Sequence, residues 1–571
     1  MRSPLKTAGL LLPLVFVQAG IPAFAANPPP NVSSQVQIAE KRMQETAEKG
    51  LVTPKRKPVI EKEKEPEKAP EEIPELRFPV TRIEVDGNQA VSSEELRGLV
   101  APYENKEQSM RELTELAQRI EEYYAQKGFI TSVAYIPAQK SADGVFRIQV
   151  VEGKTGEILV EGNRYSRTRR IRSYIRIPRG KILRYRDIEK SINKLNQNAD
   201  REVQAVLKKG EKPETTDIVF KVRDRFPLHA GFLNDNQGSE PSGKQRVGFF
   251  LRDSNVTGFD DALFTGTIFG KHFGSVFTQY LFPVATTGTR LSAGFSHSQV
   301  DPQKYLKAYG VNGTSQNYYG MIDQRLISAG RFTLDFAAKM EFKESRTKVL
   351  SGTNYRERLR LLRAGPYAHL EDRWGFTDAN FELSGGIDGL GAAVYTDPAG
   401  GRQGVGPGFM IFRNDLSRTH RLPMNARLVF QSHLQFGTEK LPSSEALYLG
   451  GGTTIRGYPE GDYMADGGFY ANLEYLIPSI FFPKTWYLPF MKEPLQKQVE
   501  CVAFVDEGYG RQRGSAPSDI RSRHLMGVGG GLRIHVWANL FARTEWAMAT
   551  GAHPLTDSGR YQFHFRLQAE I

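Results

Sequence analysis

A sixteen-stranded antiparallel transmembrane β-barrel, preceded by two small α+β domains and an N-terminal helix, is the fold class that the sequence predicts. Three observations predict it. The 571-residue chain opens like an exported protein. A strand–helix–helix–strand–strand pattern then occurs twice. Finally, roughly sixteen segments alternating apolar and polar residues follow within residues 226–571, separated by Gly, Asp, Asn, Ser and Pro turns. Composition agrees. Fifty-five glycines, 34 phenylalanines and 23 tyrosines accompany a mean hydropathy of only -0.44. That combination disfavours a helical membrane protein and fits strands with one apolar and one polar face.

Residues 1–25 read as a signal peptide. Arg2 and Lys6 supply a positive end, "AGLLLPLVF" a short apolar core, and Ala23-Phe24-Ala25 a small-x-small cleavage site. Residues 31–50 read as a helix, with Ser34 and Gln37 spaced as a capping box and Gly50 as the stop. Val36, Ala39 and Met43 form only a thin apolar stripe, so an ordinary core would bury this helix poorly, whereas a wet lumen suits it. Residues 51–76 are a charged linker with prolines at 54, 58, 66, 70 and 74, able to reach about 75 Å when fully extended.

The two α+β units are expected at residues 77–153 and 154–225. "VTRIEVDGN" (Val80–Asn88) matches "GEILVEGN" (Gly156–Asn163). In the first unit "SSEELRGLV" and "MRELTELAQRIEEYYAQKG" have helical spacing, with Leu113, Leu116, Ile120 and Tyr124 on one face. "FITSVAYIP" and "GVFRIQVVEG" alternate as strands. In the second, "SRTRRIRSYI" and "DIEKSINKLNQ" read as helices, and "EVQAVLKKG" and "TDIVFKVRD" as strands. In the barrel region the clearest strand is the last, "YQFHFRLQAEI". Tyr561, Phe563, Phe565, Leu567, Ala569 and Ile571 share one face, while Gln562, His564, Arg566, Gln568 and Glu570 share the other.

Little in the chain points to catalysis. "GKT" at Gly153–Thr155 lacks the first glycine of a phosphate loop, because Ile148 stands there. "GFSHS" has Ser298 where a nucleophile elbow needs glycine, and its context is strand. A His-x-x-x-His zinc motif is absent, and the single cysteine, Cys501, allows neither an internal disulfide nor a Cys-based metal site. No enzyme, cofactor or metal is therefore expected. The formal charge of +12 suits nucleic acid, anionic lipid or an acidic partner alike. The densest basic run, Arg164–Arg186, fits a solvated face as well as a partner site. Export argues against nucleic acid and towards an acidic polypeptide or lipid headgroups.

One stretch remains, "LGGGTTIRGYPEGDY" (Leu449–Tyr463), with a single Arg among five glycines. An arginine on a long loop folded back into a barrel needs a fixed acid. Asp506, in "FVDEG" on a later strand, would point into the lumen and supply a bidentate partner. The glycines would let the loop backbone pass close to the wall. An exposed hairpin carrying a solvated Arg would use the same residues.

This constellation resembles the two-partner secretion transporters of the haemolysin and filamentous-haemagglutinin type. The resemblance spans nearly the whole chain after residue 25: a plug helix, a linker, two POTRA domains and a barrel. It implies sixteen strands, an inward-folded loop at 438–466 after the eleventh, and a loop motif carried here by Arg456, Gly457 and Tyr458. It also implies a partner motif on the thirteenth strand, carried by Phe504 and Asp506. "NARLVFQSHLQFG" counts as the eleventh strand and "ECVAFVDEGYG" as the thirteenth. One departure is the last residue, Ile571, where such barrels usually end in an aromatic. The expected function is export of a large β-rich exoprotein across the outer membrane, with the POTRA domains in the periplasm. Strand addition to a POTRA sheet edge would capture the exoprotein, and the candidate edges carry Val133 and Tyr135, and Val203 and Val206. The other expected partners are outer-membrane lipid and, during biogenesis, the barrel-assembly machinery. An outer-membrane assembly factor of the same superfamily is the alternative, although two repeats and a plug helix favour secretion. A passive porin would leave the repeats unexplained.

Overall fold

The computed structural model describes residues 35–37, 39, 58–62, 77–139, 144–284, 286–349, 352–396, 402–479, 481–483, 485–487, 494–514, 520–536, 540–555 and 559–571. The signal peptide, most of the expected helix at 31–50 with its Ser34 cap, and most of the linker lie outside these residues. Two compact units are present, one comprising 50–227 with 254–260, the other 1–49, 228–253 and 261–571.

The first unit holds two α+β modules. In the leading module β3 (Arg82–Asp86) pairs in parallel with β6 (Val145–Val151), and β5 (Val133–Tyr135) pairs antiparallel on its other side. β2 (Arg77–Val80) and β4 (Lys106–Ser109) form a separate ribbon. Helices α1 (Ser93–Val100) and α2 (Met110–Gln126) each begin at a complete capping box, Ser92 with Glu95 and Ser109 with Glu112. The stripe read from spacing is the buried one: Leu113, Leu116, Ile120 and Tyr124 all face the core. Tyr124 Oη donates to Glu152 at 2.9 Å, and burial together with that bond raises its phenol well above the usual value. The expected strand "FITSVAYIP" shortens to Val133–Tyr135, because the chain turns after α2, with Phe129 N donating to Tyr124 O and Ser132 N to Phe129 O.

In the second module the sheet order is β1–β8–β9–β7, where β1 is Ile60–Lys62, β7 Lys154–Glu161, β8 Arg201–Lys209 and β9 Thr215–Asp224. Helices α3 (Thr168–Tyr174) and α4 (Tyr185–Leu195) cover it, with Ile171, Ile188, Ile192 and Leu195 fully buried against Ala205, Ile218 and Phe220. One expectation needs correction here. The strand carrying Val203 and Val206 is not a free edge. β9 pairs with one side of β8, and β1, a piece of the linker, pairs in parallel with the other, placing Glu61 opposite Val206. Both valines are buried. Over Ala205–Leu207 three linker residues take up the edge, which includes Val206 but not Val203.

The basic run is exposed at every Arg and Lys from Arg164 to Arg186 except one. Arg170 is buried, stacked 4.6 Å from the Tyr174 ring and 3.6 Å from Asp260, a carboxylate that also takes Arg201 Nη1 at 2.7 Å.

The second unit is a closed barrel of sixteen strands. They are β10 (Leu228–Asp235), β11 (Arg246–Asp253), β12 (Ala262–Gly270), β13 (Phe273–Pro283), β14 (Thr289–Val300), β15 (Asn312–Ala329), β16 (Phe332–Val349), β17 (Gly352–Asp372), β18 (Gly375–Gly386), β20 (Phe409–Arg421), β21 (Arg427–Gly437), β24 (Gly467–Pro478), β25 (Val499–Arg511), β26 (Ser522–Val536), β27 (Leu540–Ala549) and β28 (Tyr561–Glu570). A short piece, β19 (Ala393–Thr396), continues β18 along β17 after an interruption. β10 closes on β28. The fold class is thus as expected, with β21 eleventh and β25 thirteenth. The period-two pattern decides which face meets what. Tyr561, Phe563 and Leu567 point outward, while His564 and Arg566 are buried inside.

Loops after the first, third and further odd positions in the barrel order emerge at the end away from Leu228, and β21 is the eleventh. The one after β21 turns back into the lumen as a hairpin, β22 (Leu447–Leu449) pairing with β23 (Tyr463–Ala465). Its neck is pinned where Asp466 takes Arg402 Nη2 at 2.6 Å and Leu441 N at 2.8 Å. Of the N-terminal segment, Gln35, Val36, Gln37 and Ala39 are helical. Ala39 is fully buried in a cluster with the inward side chains of Phe250, Phe264 and Phe277.

Candidate functional site: the inward loop and the barrel wall

Arg456 lies at the tip of the inward hairpin and is 3% exposed. Asp506 lies at the inward-facing parity of β25 and is fully buried. The guanidinium meets the carboxylate in a fork, Nε to Oδ2 at 2.7 Å and Nη2 to Oδ1 at 2.6 Å, and the Arg456 backbone N also donates to Oδ2 at 2.9 Å. This bidentate geometry is one that lysine cannot reproduce. The ring of Phe504, two residues earlier on the same face, lies 3.4 Å from the guanidinium carbon. All five motif residues are therefore brought together: Arg456, Gly457, Tyr458, Phe504 and Asp506.

The backbone explains why glycine is needed here. Gly457 has φ +94°, and a Cβ there would sit 2.7 Å from Ala549 N. Across the ladder Asp506 is opposite Gly527 and Phe504 is opposite Gly529. A Cβ at Gly527 would lie 1.9 Å from Arg456 O. Gly527 of β26 is thus a notch in the wall into which the loop backbone fits, while at Gly529 a Cβ would meet the Phe504 ring at 2.5 Å. Tyr458 packs beside this notch, fully buried, its hydroxyl donating to Ala552 O at 2.9 Å.

Spacing arguments missed four residues. Arg456 Nη1 also reaches Glu474 at 2.8 Å and Glu545 at 3.0 Å. Arg533 bridges these two acids, and Arg543 lies 2.6 Å from Glu545. Three carboxylates and three guanidiniums form one network across β24, β25, β26 and β27. Each added residue is a charge on an otherwise apolar–polar strand. Which of the many such charges converge is decided by strand register. Val133 and Tyr135 lie on β5, which has no partner on its outer side among the described residues, and are about half exposed. No metal-binding cluster of His, Cys, Asp or Glu occurs among the described residues.

A POTRA domain profile of the ShlB type matches residues 78–153. The profile of the haemolysin secretion/activation protein ShlB/FhaC/HecB matches residues 214–534, more than half of the chain. The chain belongs to this haemolysin secretion/activation family. A relative in it, the heme/hemopexin transporter protein HuxB of Haemophilus influenzae (strain 86-028NP), is 22% identical over 476 residues, covering 80% of this chain and 81% of HuxB. Among solved structures, CdiB from Escherichia coli superposes with a TM-score of 0.64 at 18% identity, over 96% of this chain and all of CdiB. BamA from Haemophilus ducreyi lacking POTRA domains 1-3 shares the fold less closely, with a TM-score of 0.58 at 13% identity over 87% of this chain and all of that one. This member of the secretion/activation family is an outer-membrane transporter of the two-partner type, with its POTRA modules in the periplasm. Its partners are a secreted exoprotein and the lipid of the outer membrane. The loop after β21, the eleventh strand, consequently enters the lumen from the cell surface.

Proposed function

We propose that the cargo is one large, extended, β-rich polypeptide, captured in the periplasm by strand addition and passed outward as the inward loop and N-terminal helix leave the lumen. The observation carrying this reading is the loop itself. It is tied to the wall by side chains that can let go, through a fork between Arg456 and Asp506 rather than a continuous sheet. Arg456, Gly457, Tyr458, Phe504 and Asp506 would hold the resting state. β5, with Val133 and Tyr135 exposed, offers the open capture edge. No nucleotide is invoked. Folding of the cargo outside the cell would draw it forward.

Deleting the gene tests the reading. A single large polypeptide should vanish from the culture medium and reappear on complementation, while the set of outer-membrane barrels stays unchanged. Loss of several barrels with an intact secretome would instead support the assembly-factor alternative.

The β1 strand has a consequence for capture. A cargo strand that adds to β8 must first displace Ile60–Lys62. Glu61→Pro removes a backbone N–H from that short ladder. At about 1 kcal/mol for each lost hydrogen bond, the variant should bind the N-terminal region of the cargo roughly five- to tenfold more tightly, measured by titration calorimetry. Unchanged affinity would leave β5 as the capture edge.

A further inference from the structure

We propose that Glu445 is a second latch of the inward loop, separate from Arg456, and that the N-terminal helix bears on this latch through Gln37. The proposal rests on the reading that the loop must leave the wall for export. Glu445 lies on the descending limb of the loop, and its side chain is 1% exposed. Three cations from the wall converge on it. Arg363 Nη2 reaches both carboxylate oxygens at 2.9 Å, Arg413 Nη2 reaches Oε2 at 2.9 Å, and Lys343 Nζ reaches Oε1 at 3.1 Å. These cations come from β16, β17 and β20, the seventh, eighth and tenth strands. The Arg456 network uses the twelfth to fifteenth, so the loop is held to two different arcs of the wall.

The charge count makes the latch costly to open. Arg363 Nε is also held by Glu341 at 2.7 Å, and Arg413 Nη1 by Glu382 at 3.0 Å. Lys339 Nζ also lies 3.6 Å from Glu341, so removing Glu445 leaves four cations facing two acids in a largely buried cluster. The main chain reinforces the grip. Glu445 O accepts from Gln435 Nε2 at 3.0 Å, and Ser443 Oγ donates to Glu357 at 3.0 Å.

Gln37 supplies the coupling. Its Nε2 donates to Ser444 O at 2.8 Å and lies within reach of Ser443 O and Ala446 O at 3.5 and 3.4 Å. The carbonyls flanking Glu445 thus share one donor from the helix. Departure of the helix strips that donor from the latch segment, whereas among the described residues the Arg456 fork, on the other arc, takes no bond from the helix. The order of opening follows: helix, then Glu445, then Arg456.

The test uses the full-length chain in outer membranes, with Cys501→Ser and either Ala446→Cys or Thr454→Cys as the labelling site for a small impermeant thiol reagent. Heat-modifiability reports folding. Labelling at 446 should rise about tenfold with Glu445→Gln and stay near the parent rate with Glu445→Asp, while labelling at 454 changes by less than twofold. Asp506→Ala should give the reverse pattern. Arg413→Gln approaches the latch from the wall and should reproduce the Glu445→Gln pattern if that variant inserts poorly. Gln37→Ala should raise labelling at 446 about threefold and leave 454 alone. The proposal falls if 446 stays protected in both latch variants, if 446 and 454 open together in each variant, or if Gln37→Ala moves neither. None of these readouts involves export, so they stand whether or not the exported cargo is as proposed.

Discussion

Arg456→Ala and Asp506→Ala each free the tip of the inward loop and cut export, Arg456→Ala by about a hundredfold or more, while the barrel still inserts. The size follows from breaking a buried charge pair by removing one member, which costs on the order of 3–5 kcal/mol. Both partners are almost wholly buried and joined by three hydrogen bonds of 2.9 Å or less. The two losses do not add, because the second substitution removes an interaction that the first has already abolished. The network also separates the two variants. Without Arg456, Glu474 and Glu545 keep Arg533 and Arg543 as partners, so only Asp506 is stranded. Without Asp506, Arg456 keeps contacts at 2.8 and 3.0 Å to those same two glutamates, so Asp506→Ala should be the milder change. Arg456→Lys should resemble Arg456→Ala, since an ammonium cannot fork onto one carboxylate while reaching two others. The check is a double-mutant cycle on cargo in the medium and on labelling at Thr454→Cys in the Cys501→Ser background. Additive losses would make Arg456 an ordinary loop residue.

Deletion of residues 31–50 raises single-channel conductance in planar bilayers severalfold. A helix with its side chains is about 10–12 Å across, a large share of the channel that a sixteen-stranded barrel encloses. Gln35 and Ala39 are fully buried, Ala39 against inward phenylalanines of the wall, and Gln37 reaches the loop on the other side. The described residues 35–37 and 39 thus lie between wall and loop. The hairpin at 438–466 remains after the deletion, so a second conductance step should appear when Arg456→Ala is added. Unchanged conductance would place the segment outside the conducting path.

Much of this was legible in the chain. Alternation along "YQFHFRLQAEI" assigned the lipid and lumen faces correctly, because the pleat sends successive side chains to opposite sides whatever the strand's neighbours are. The stripe Leu113, Leu116, Ile120, Tyr124 was readable for the same kind of reason, being set by one helix's own repeat. The strand count followed from turns between alternating runs. The pairing of Arg456 with Asp506 came from a lumenal arginine's need for a fixed acid together with the family resemblance, and the structure brings the two side chains within 2.7 Å.

What tertiary structure alone decided lies across large sequence separations. Glu445 and Lys343 are 102 residues apart, and both look like ordinary polar positions until the barrel closes and the loop folds in. Glu474, Glu545, Arg533 and Arg543 join Arg456 only through the register of four neighbouring strands. The edge carrying Val203 and Val206 looked open because a strand's pattern tells how it is buried, not what lies beside it. The three linker residues Ile60–Lys62 occupy it over Ala205–Leu207, a pairing that no local periodicity encodes. Local backbone geometry is written into the order of residues, whereas partners in space are chosen by closure of the barrel and by competition for an open edge.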